Sequence, residues 1–358
     1  MTRSKVKLRD LWRAVGLSAA AAAAAFALGA LAPDTAAAQE TTAPVVAEQA
    51  APATEAAPEA TAPTAEITAP EQTVDKGDVT WMMTSSILVL LMIIPGLALF
   101  YGGLVRTKNA LSVLMQVSTV TVIGMIMWAL VGYSLSFTTG PGALDTFIGG
   151  TARFFLFDTV DGVVTDLSDN LVATFSTGIY LPELVFVVFQ MTFACITAAL
   201  VLGGLAERVK FIGVVLFSIL WPLLVYYPMA HMVWWWPGPD AVATHPNDPI
   251  ASGLIWSFGA LDFAGGTVVH INSGIAALMG ALVLGKRTGY KKEPMPPHSL
   301  MMTLIGTGLL WFGWFGFNAG SNLESNYYSV LAMANTFLAP AAAGFSWLLV
   351  EWITKGKA

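Results

Sequence analysis

The sequence predicts an all-α membrane protein, folded as a bundle of transmembrane helices. Three observations predict it. The chain is 56% hydrophobic and only 11% charged over 358 residues, with a mean hydropathy of +0.67. From residue 79 onward, seven apolar stretches recur, each near the ~20 residues a helix needs to cross a bilayer. Lysine and arginine gather in every second connection, and aspartate gathers in the others. The net charge of −6 is small and dispersed, which argues against nucleic acid as a partner. The lone cysteine, Cys195, allows neither a disulfide framework nor a paired-thiol metal site.

Taken in order, residues 1–38 read as a signal peptide. Arg3, Lys5, Lys7, Arg9 and Arg13 precede an Ala-rich core, and Ala36, Ala37 and Ala38 offer a cleavage site before Gln39. No cysteine stands there to carry a lipid. Residues 39–78 are Ala, Pro, Thr and Glu without apolar periodicity, so a disordered tether is expected. Residues 79–358 form the transmembrane domain, with spans at about 79–101, 110–136, 181–205, 212–235, 258–284, 299–317 and 329–353. Gly274, Ala277, Gly280 and Ala281 in the fifth span favour close helix approach.

Orientation follows from the charges. If the helices alternate, Arg106, Lys108, Arg208, Lys210, Lys286, Arg287, Lys291, Lys292, Lys355 and Lys357 share one side. The other side holds Lys76 and Arg153 beside Asp145, Asp158, Asp161, Asp166, Asp169, Asp240 and Asp248. Positive charge stays inside. The N-terminus is therefore expected outside and the C-terminus inside, in the cytoplasmic (inner) membrane, which agrees with a cleaved signal.

Four stretches break the apolar pattern. In "LDFAGGTVVHINSGIAALMGALVLGKR", residues 261–287, Asp262 and His270 lie eight residues apart. On an unbroken helix that is about 80° around the axis and ~12 Å along it. Either the acid caps a helix start and the imidazole donates to a carbonyl, or both serve a function inside the bundle. Asn272, across the helix, reads as helix-to-helix glue. In "AHMVWWWPGP", residues 230–239, the three tryptophans read on pattern alone as an interfacial belt, with His231 interfacial too. The alternative is a cation site, because Trp offers the strongest aromatic face. In "FQMTFACITAAL", residues 189–200, Gln190 and Thr192 interrupt the apolar run, while Phe189 and Phe193 share a face. In "GWFGFNAGS", residues 313–321, glycines thin a helix that ends at Ser321. No P-loop, HExxH, CxxC or GxSxG occurs, and the four histidines are scattered. The sequence therefore implies no enzyme, no bound metal and no other cofactor.

These stretches resemble the ammonium transporter family, which includes the Rh-type proteins. "PGLALFYGGLVRTKNALS", "FQMTFACIT", "GGLAERVKF", "PMAHMVW", "LDFAGGTVVHIN", "LGKRTGY" and "WFGFNAGSN" stand in family order from about Asp78 to the last residue. The resemblance implies an eleven-helix bundle of two inverted halves, seven spans of which are present, assembled as a homotrimer with one pore per subunit. It implies a lipid bilayer as surroundings and ammonium, ammonia and methylammonium as substrates. Carried over, Trp234 and Ser321 form the outer substrate site, with Phe193 as its inner wall. Phe193 and Phe317 are the rings that close the pore, and His270 is the first of two pore histidines. Asp262 shapes the site, and Gln190 is a further polar contact.

Physical chemistry supports that assignment. A bare ammonium ion in a low-dielectric pore costs on the order of tens of kcal/mol in the idealised limit. A desolvated cation–π contact returns only ~2 kcal/mol or somewhat more. Recruitment must then be followed by deprotonation or by close polar compensation, which an imidazole can supply. Potassium, with no proton to give up, would be rejected.

Two departures qualify the expectation. No histidine stands in a motif matching the second pore histidine, and the chain ends at "EWITKGKA" after seven spans. The family tail that helps dock a PII-type nitrogen-signalling protein would follow later. A non-conducting ammonium sensor or assembly subunit is thus the alternative, and the chain by itself is expected not to conduct.

Overall fold

The computed structural model describes residues 70–160, 163–244 and 251–357. The signal peptide and most of the expected tether lie outside the described residues. Among the described residues, seven helices are long and apolar enough to cross a membrane: α1 (Lys76–Leu104), α2 (Thr107–Phe137), α3 (Glu183–Leu205), α4 (Phe211–Trp234), α5 (Gly266–Leu284), α6 (Leu300–Gly320) and α7 (Tyr327–Lys355). They coincide with the apolar stretches to within a few residues, except at the start of the fifth.

Local chemistry sets the ends. The Asp75 carboxylate accepts from the Gly77 and Asp78 N–H groups and opens α1. Ser299 and Asn326 cap α6 and α7 in the same way, through the N–H groups of Met302 and Tyr328. Inside α1 the helical path breaks at Ile94, next to Pro95. Proline has no N–H to give and crowds the preceding turn.

Two boundaries are corrected. The tether, expected through residue 78, ends earlier: Thr73–Val74 forms a strand, β1, and α1 begins at Lys76. The fold is the expected bundle of membrane-spanning helices, with short strands in its connections. Beside the hairpin β2 (Phe157–Val160) and β3 (Val163–Asp166), strands β4 (Leu171–Ala173) and β5 (Ile179–Pro182) pair antiparallel, and β1 adds to β5 in parallel. The long α2–α3 connection lets its backbone groups pair with one another, and these sheets are its solution. Finally, the fifth span starts at Gly266, not 258. Gly265 stands at φ +88°, a conformation glycine adopts freely. Asp262 therefore precedes the helix, and the helical spacing to His270 does not apply.

The core is unevenly shared. α3 packs against α1, α2 and α5, and 72% of its apolar window is buried, against 6% for α7. α6 lies close along α1, because a Cβ on Gly313 would sit 2.3 Å from the Leu88 carbonyl oxygen. Small residues at this seam let the two backbones meet.

The basic connections converge on one carboxylate. Glu207 accepts from the Arg106 N–H and Nε at 3.0 Å, from Asn109 Nδ2 at 2.8 Å and from an Arg287 guanidinium nitrogen at 3.0 Å. Burial alone would raise its pKa. The hydrogen bonds from Asn109 and Arg106, with the Arg106 charge, outweigh burial and hold the carboxyl at about 2.

Candidate functional site

At the opposite, aspartate-rich end, the helices open into a cavity of about 380 Å³. One water needs only ~10–15 Å³ on a comparable measure, so the space admits a hydrated small cation. Its wall is mostly aromatic, and its polar members include Gln190, Asp262 and Ser321.

Trp234 is the last residue of α4, where the chain turns into extended backbone at Trp235. Its indole N–H donates to the Asp262 carbonyl oxygen at 2.9 Å. Asp262 in turn is fully engaged. One carboxylate oxygen accepts from the Gly265 and Gly266 N–H groups at 2.6 and 2.7 Å, the other from Thr267 and Val268 at 2.8 and 2.9 Å. The acid therefore satisfies the orphan donors at the start of α5 and, through its own carbonyl, fixes the Trp234 ring. It shapes the cavity without offering a free oxygen.

Below Trp234 the rings form a file. Phe193 meets Trp234 edge-on at 5.9 Å and stacks on Phe317 at 4.3 Å with an interplanar angle of 14°. Both phenylalanines are almost wholly buried, at 1% and 2% exposure. Phe317 lies 5.9 Å from the His270 ring. His270 borders a second, open cavity of about 310 Å³ with Trp314 and Asn318. The stacked pair thus stands between the aromatic cavity and the histidine. Ser321, one turn beyond Phe317, donates its hydroxyl proton to the Phe317 carbonyl at 2.7 Å.

The structure corrects several residue readings. His270 was expected inside the bundle, but it is exposed. The three tryptophans are no belt. Trp234 lines the cavity, and Trp235 is buried flat against the His231 ring at 4.9 Å. Trp236 stacks between Phe175 at 6.2 Å and Trp256 at 5.6 Å. His231 is not interfacial but fully buried, with Nδ1 3.1 Å from the Ser136 carbonyl and Nε2 against that of Asp145. Asn272 is buried, yet its amide nitrogen has no partner.

Sequence reasoning missed a polar cluster beside the cavity. Arg153 Nε donates to Glu183 at 3.0 Å and its guanidinium also meets Asp158. Asn170 Nδ2 donates to both acids, and the Tyr133 hydroxyl donates to Glu183 at 2.8 Å. Tyr133 also lines the cavity wall. The loop carrying Arg153, Asp158 and Asn170 holds no motif, and only the "TARFF" and "SDN" polar residues in an apolar setting hinted at it.

A helical membrane bundle with an aromatic cavity closed by stacked rings defines the class. Residues 80–358 match the Ammonium Transporter Family, and the chain belongs to it. An ammonium transporter of Bacillus subtilis is 44% identical over 281 residues, covering 78% of this chain and 61% of that protein. The crystal structure of Candida albicans Mep2 superposes with a TM-score of 0.64 at 36% identity, over 80% of this chain and 57% of that one. A solved structure named Sensor Amt Protein gives 0.63 at 28% identity, over 78% and 63%. The chain thus spans about 60% of the length of such relatives.

Proposed function

We propose that the chain recruits ammonium at the aspartate-rich end and passes it toward His270 as part of ammonium transport across the cytoplasmic membrane. On this reading the aspartate-rich end and the N-terminus face outward, the C-terminus faces inward, and the unit assembles as a homotrimer. The observation that carries the proposal is the file Trp234–Phe193–Phe317–His270, with the stacked pair closed beneath an aromatic cavity. A cation entering the cavity gains the Trp234 face and meets two buried rings that offer no hydration. Passage then requires the ion to give its proton to water in the cavity, so that the N–H bond breaks there and neutral ammonia slips between the rings. His270 provides a nitrogen on the far side to accept a hydrogen bond or a proton. Transport, not catalysis of a bond change in the substrate, is the role.

A second reading, an ammonium sensor or assembly subunit that binds without conducting, is supported by the likeness to the Sensor Amt Protein. Both readings expect saturable ammonium binding; only transport expects flux. The purified chain in proteoliposomes, assayed for ammonium- and methylammonium-dependent uptake, separates them. Trp234→Leu is expected to raise the half-saturating ammonium concentration roughly thirtyfold, the equivalent of ~2 kcal/mol. An unchanged concentration dependence would sink the recruitment role. Should the native chain show uptake, against the expectation for the chain by itself, His270→Ala is expected to stop it while leaving ammonium binding in place.

A further inference from the structure

The aromatic cavity is far larger than a single ammonium ion. A cavity of ~150 Å³ is enough for a benzene ring, and this one offers about 380 Å³. Small-molecule sites usually fall between ~300 and 1,000 Å³ and share its make-up, an aromatic and apolar wall with a few polar groups. Burial divides the wall into two ends. Phe193, in contact with Trp234, is 1% exposed and marks the inner end. Phe175, Trp236 and Trp256 line the same cavity. Phe175 is 49% exposed, which puts this second group of rings at the mouth. Trp236 lies between the other two, 6.2 Å from Phe175 at an interplanar angle of 20° and 5.6 Å from Trp256 at 19°. The three come from separate segments: the β4–β5 turn, the chain just after α4 and the stretch before α5. An ammonium ion seated against Trp234 has no atoms with which to use them.

We propose that the cavity binds primary ammonium ions carrying an apolar tail, of the benzylammonium class, with the charged head at Trp234 and the tail against Phe175, Trp236 and Trp256. The inference rests on the reading of the inner end as an ammonium site and names a second class of ligand for it. Charge and shape both favour such an ion. The head gains the indole face at the end of the molecule where the Asp262 carboxylate is held by backbone N–H groups alone. The tail gains the rings at the mouth. Each methylene withdrawn from water adds about fourfold in affinity, and an aromatic tail packed on a ring adds about two- to tenfold beyond its area. Such a ligand goes no deeper. Phe193 and Phe317, stacked at 4.3 Å, leave no gap for a ring. A tailed amine therefore occupies the recruitment site and blocks it.

The test is calorimetric titration of the full chain in lipid nanodiscs with the chlorides of ammonium, methylammonium and benzylammonium, and with benzyl alcohol. Empty nanodiscs supply the blank for partition into lipid. The native chain is expected to bind benzylammonium at least tenfold more tightly than methylammonium, and excess ammonium should displace it. Benzyl alcohol, the same tail without the charge, should bind at least tenfold more weakly than benzylammonium. Phe175→Ala, in a half-exposed turn, should cut the advantage of benzylammonium at least threefold and leave methylammonium within twofold. Trp256→Leu is expected to do the same, which covers the case in which the first variant does not fold. Benzylammonium no tighter than methylammonium would overturn the proposal. So would benzyl alcohol as tight as benzylammonium, or an equal loss for both ions in the two variants. The ammonium reading fails separately. Saturable benzylammonium binding without any ammonium binding would strike that reading and leave the tail site standing, whereas binding by no cation would strike both.

Discussion

The two ends of the bundle handle buried carboxylates in opposite ways. At the basic end Glu207 is paired with two guanidinium groups, Arg106 and Arg287, so its charge is cancelled on the spot. At the aspartate-rich end the acids are held mostly by neutral donors. Asp262 takes four backbone N–H groups, and Asp240 takes the Gly178 N–H and the Tyr180 hydroxyl. Glu324 takes the Ser176 N–H and hydroxyl, and Asp78 takes those of Ser325. Arg153 is the one guanidinium there among the described residues, shared between Asp158 and Glu183. Dipoles hold a carboxylate in place without neutralising it. The aspartate-rich end therefore keeps uncancelled negative charge beside the aromatic cavity, the arrangement that would favour cations there on the proposed function. A carboxylate is neutralised by cations at one end and held by dipoles with its charge intact at the other.

The comparison breaks most sharply at Asp262. Asp262→Asn keeps one acceptor oxygen but turns an NH₂ group toward two of the four backbone N–H groups. Two donors stripped of their acceptor cost ~3 kcal/mol together, at about 1–3 kcal/mol each with partial access to water. The expected result is a lower melting temperature in detergent and a raised half-saturating ammonium concentration, because the carbonyl that fixes Trp234 moves with the turn. An unaltered melt with unaltered binding would mean that the cap holds neither.

Glu207→Gln sharpens the contrast from the other side. Its side chain is fully shielded, but Arg106 and Arg287 are 22% and 34% exposed. The loss should fall between an exposed pair and a broken buried one, about 2 kcal/mol. Stability should drop while ammonium binding at the far end stays within twofold. The pH dependence carries a definite sign. The folded carboxyl, at about 2, lies below its ordinary value of 4.5. Its contribution is complete above pH 4.5 and fades as the pH falls toward 2. The stability gap between native and Glu207→Gln protein should therefore close across that window, as read by denaturation at stepped pH.

Much of this was legible in the residues, and the limits have physical causes. Hydropathy is a local property, so the seven spans were readable almost to their ends. Positive charge in alternate connections correctly grouped Arg106, Arg208 and Arg287, whose loops meet around Glu207 and the Gly285 carbonyl. The family motifs pointed to Phe193 and Phe317, which stack, and to Asp262 beside Trp234. What stayed hidden depends on contacts between distant segments. Trp236 lies among tryptophans in sequence but finds Phe175 and Trp256 only when three loops meet. Glu183, at the start of an apolar helix, reads as an ordinary first-turn acid until Arg153 and Asn170 arrive from the loop before it.

The smallest expected effect tests whether neutral donors alone hold an acid at the aspartate-rich end. Tyr180 on β5 donates its hydroxyl to Asp240 at 2.8 Å, and the Gly178 N–H supplies the remaining contacts. Tyr180→Phe removes the hydroxyl's bond to Asp240 and its contact with the Gln72 side chain, and nothing else of shape, which should cost ~1 kcal/mol, the worth of a typical hydrogen bond. Asp240 keeps its backbone contacts, so the loop should stay folded and ammonium binding should hold. The alkaline side makes the test specific. Burial first, and the Asp240 carboxylate after it, push the Tyr180 phenol above its ordinary 10.0. A raised value means that the stabilisation is complete below pH 10.0 and is lost as the pH climbs through the folded value. Native protein should thus lose stability above that point while Tyr180→Phe, with no proton to release there, should not lose that increment. Denaturation curves of both proteins at pH 8 and at stepped alkaline pH should converge. A gap that persists or widens would overturn the view that the stabilisation comes from the proton Tyr180 donates to Asp240.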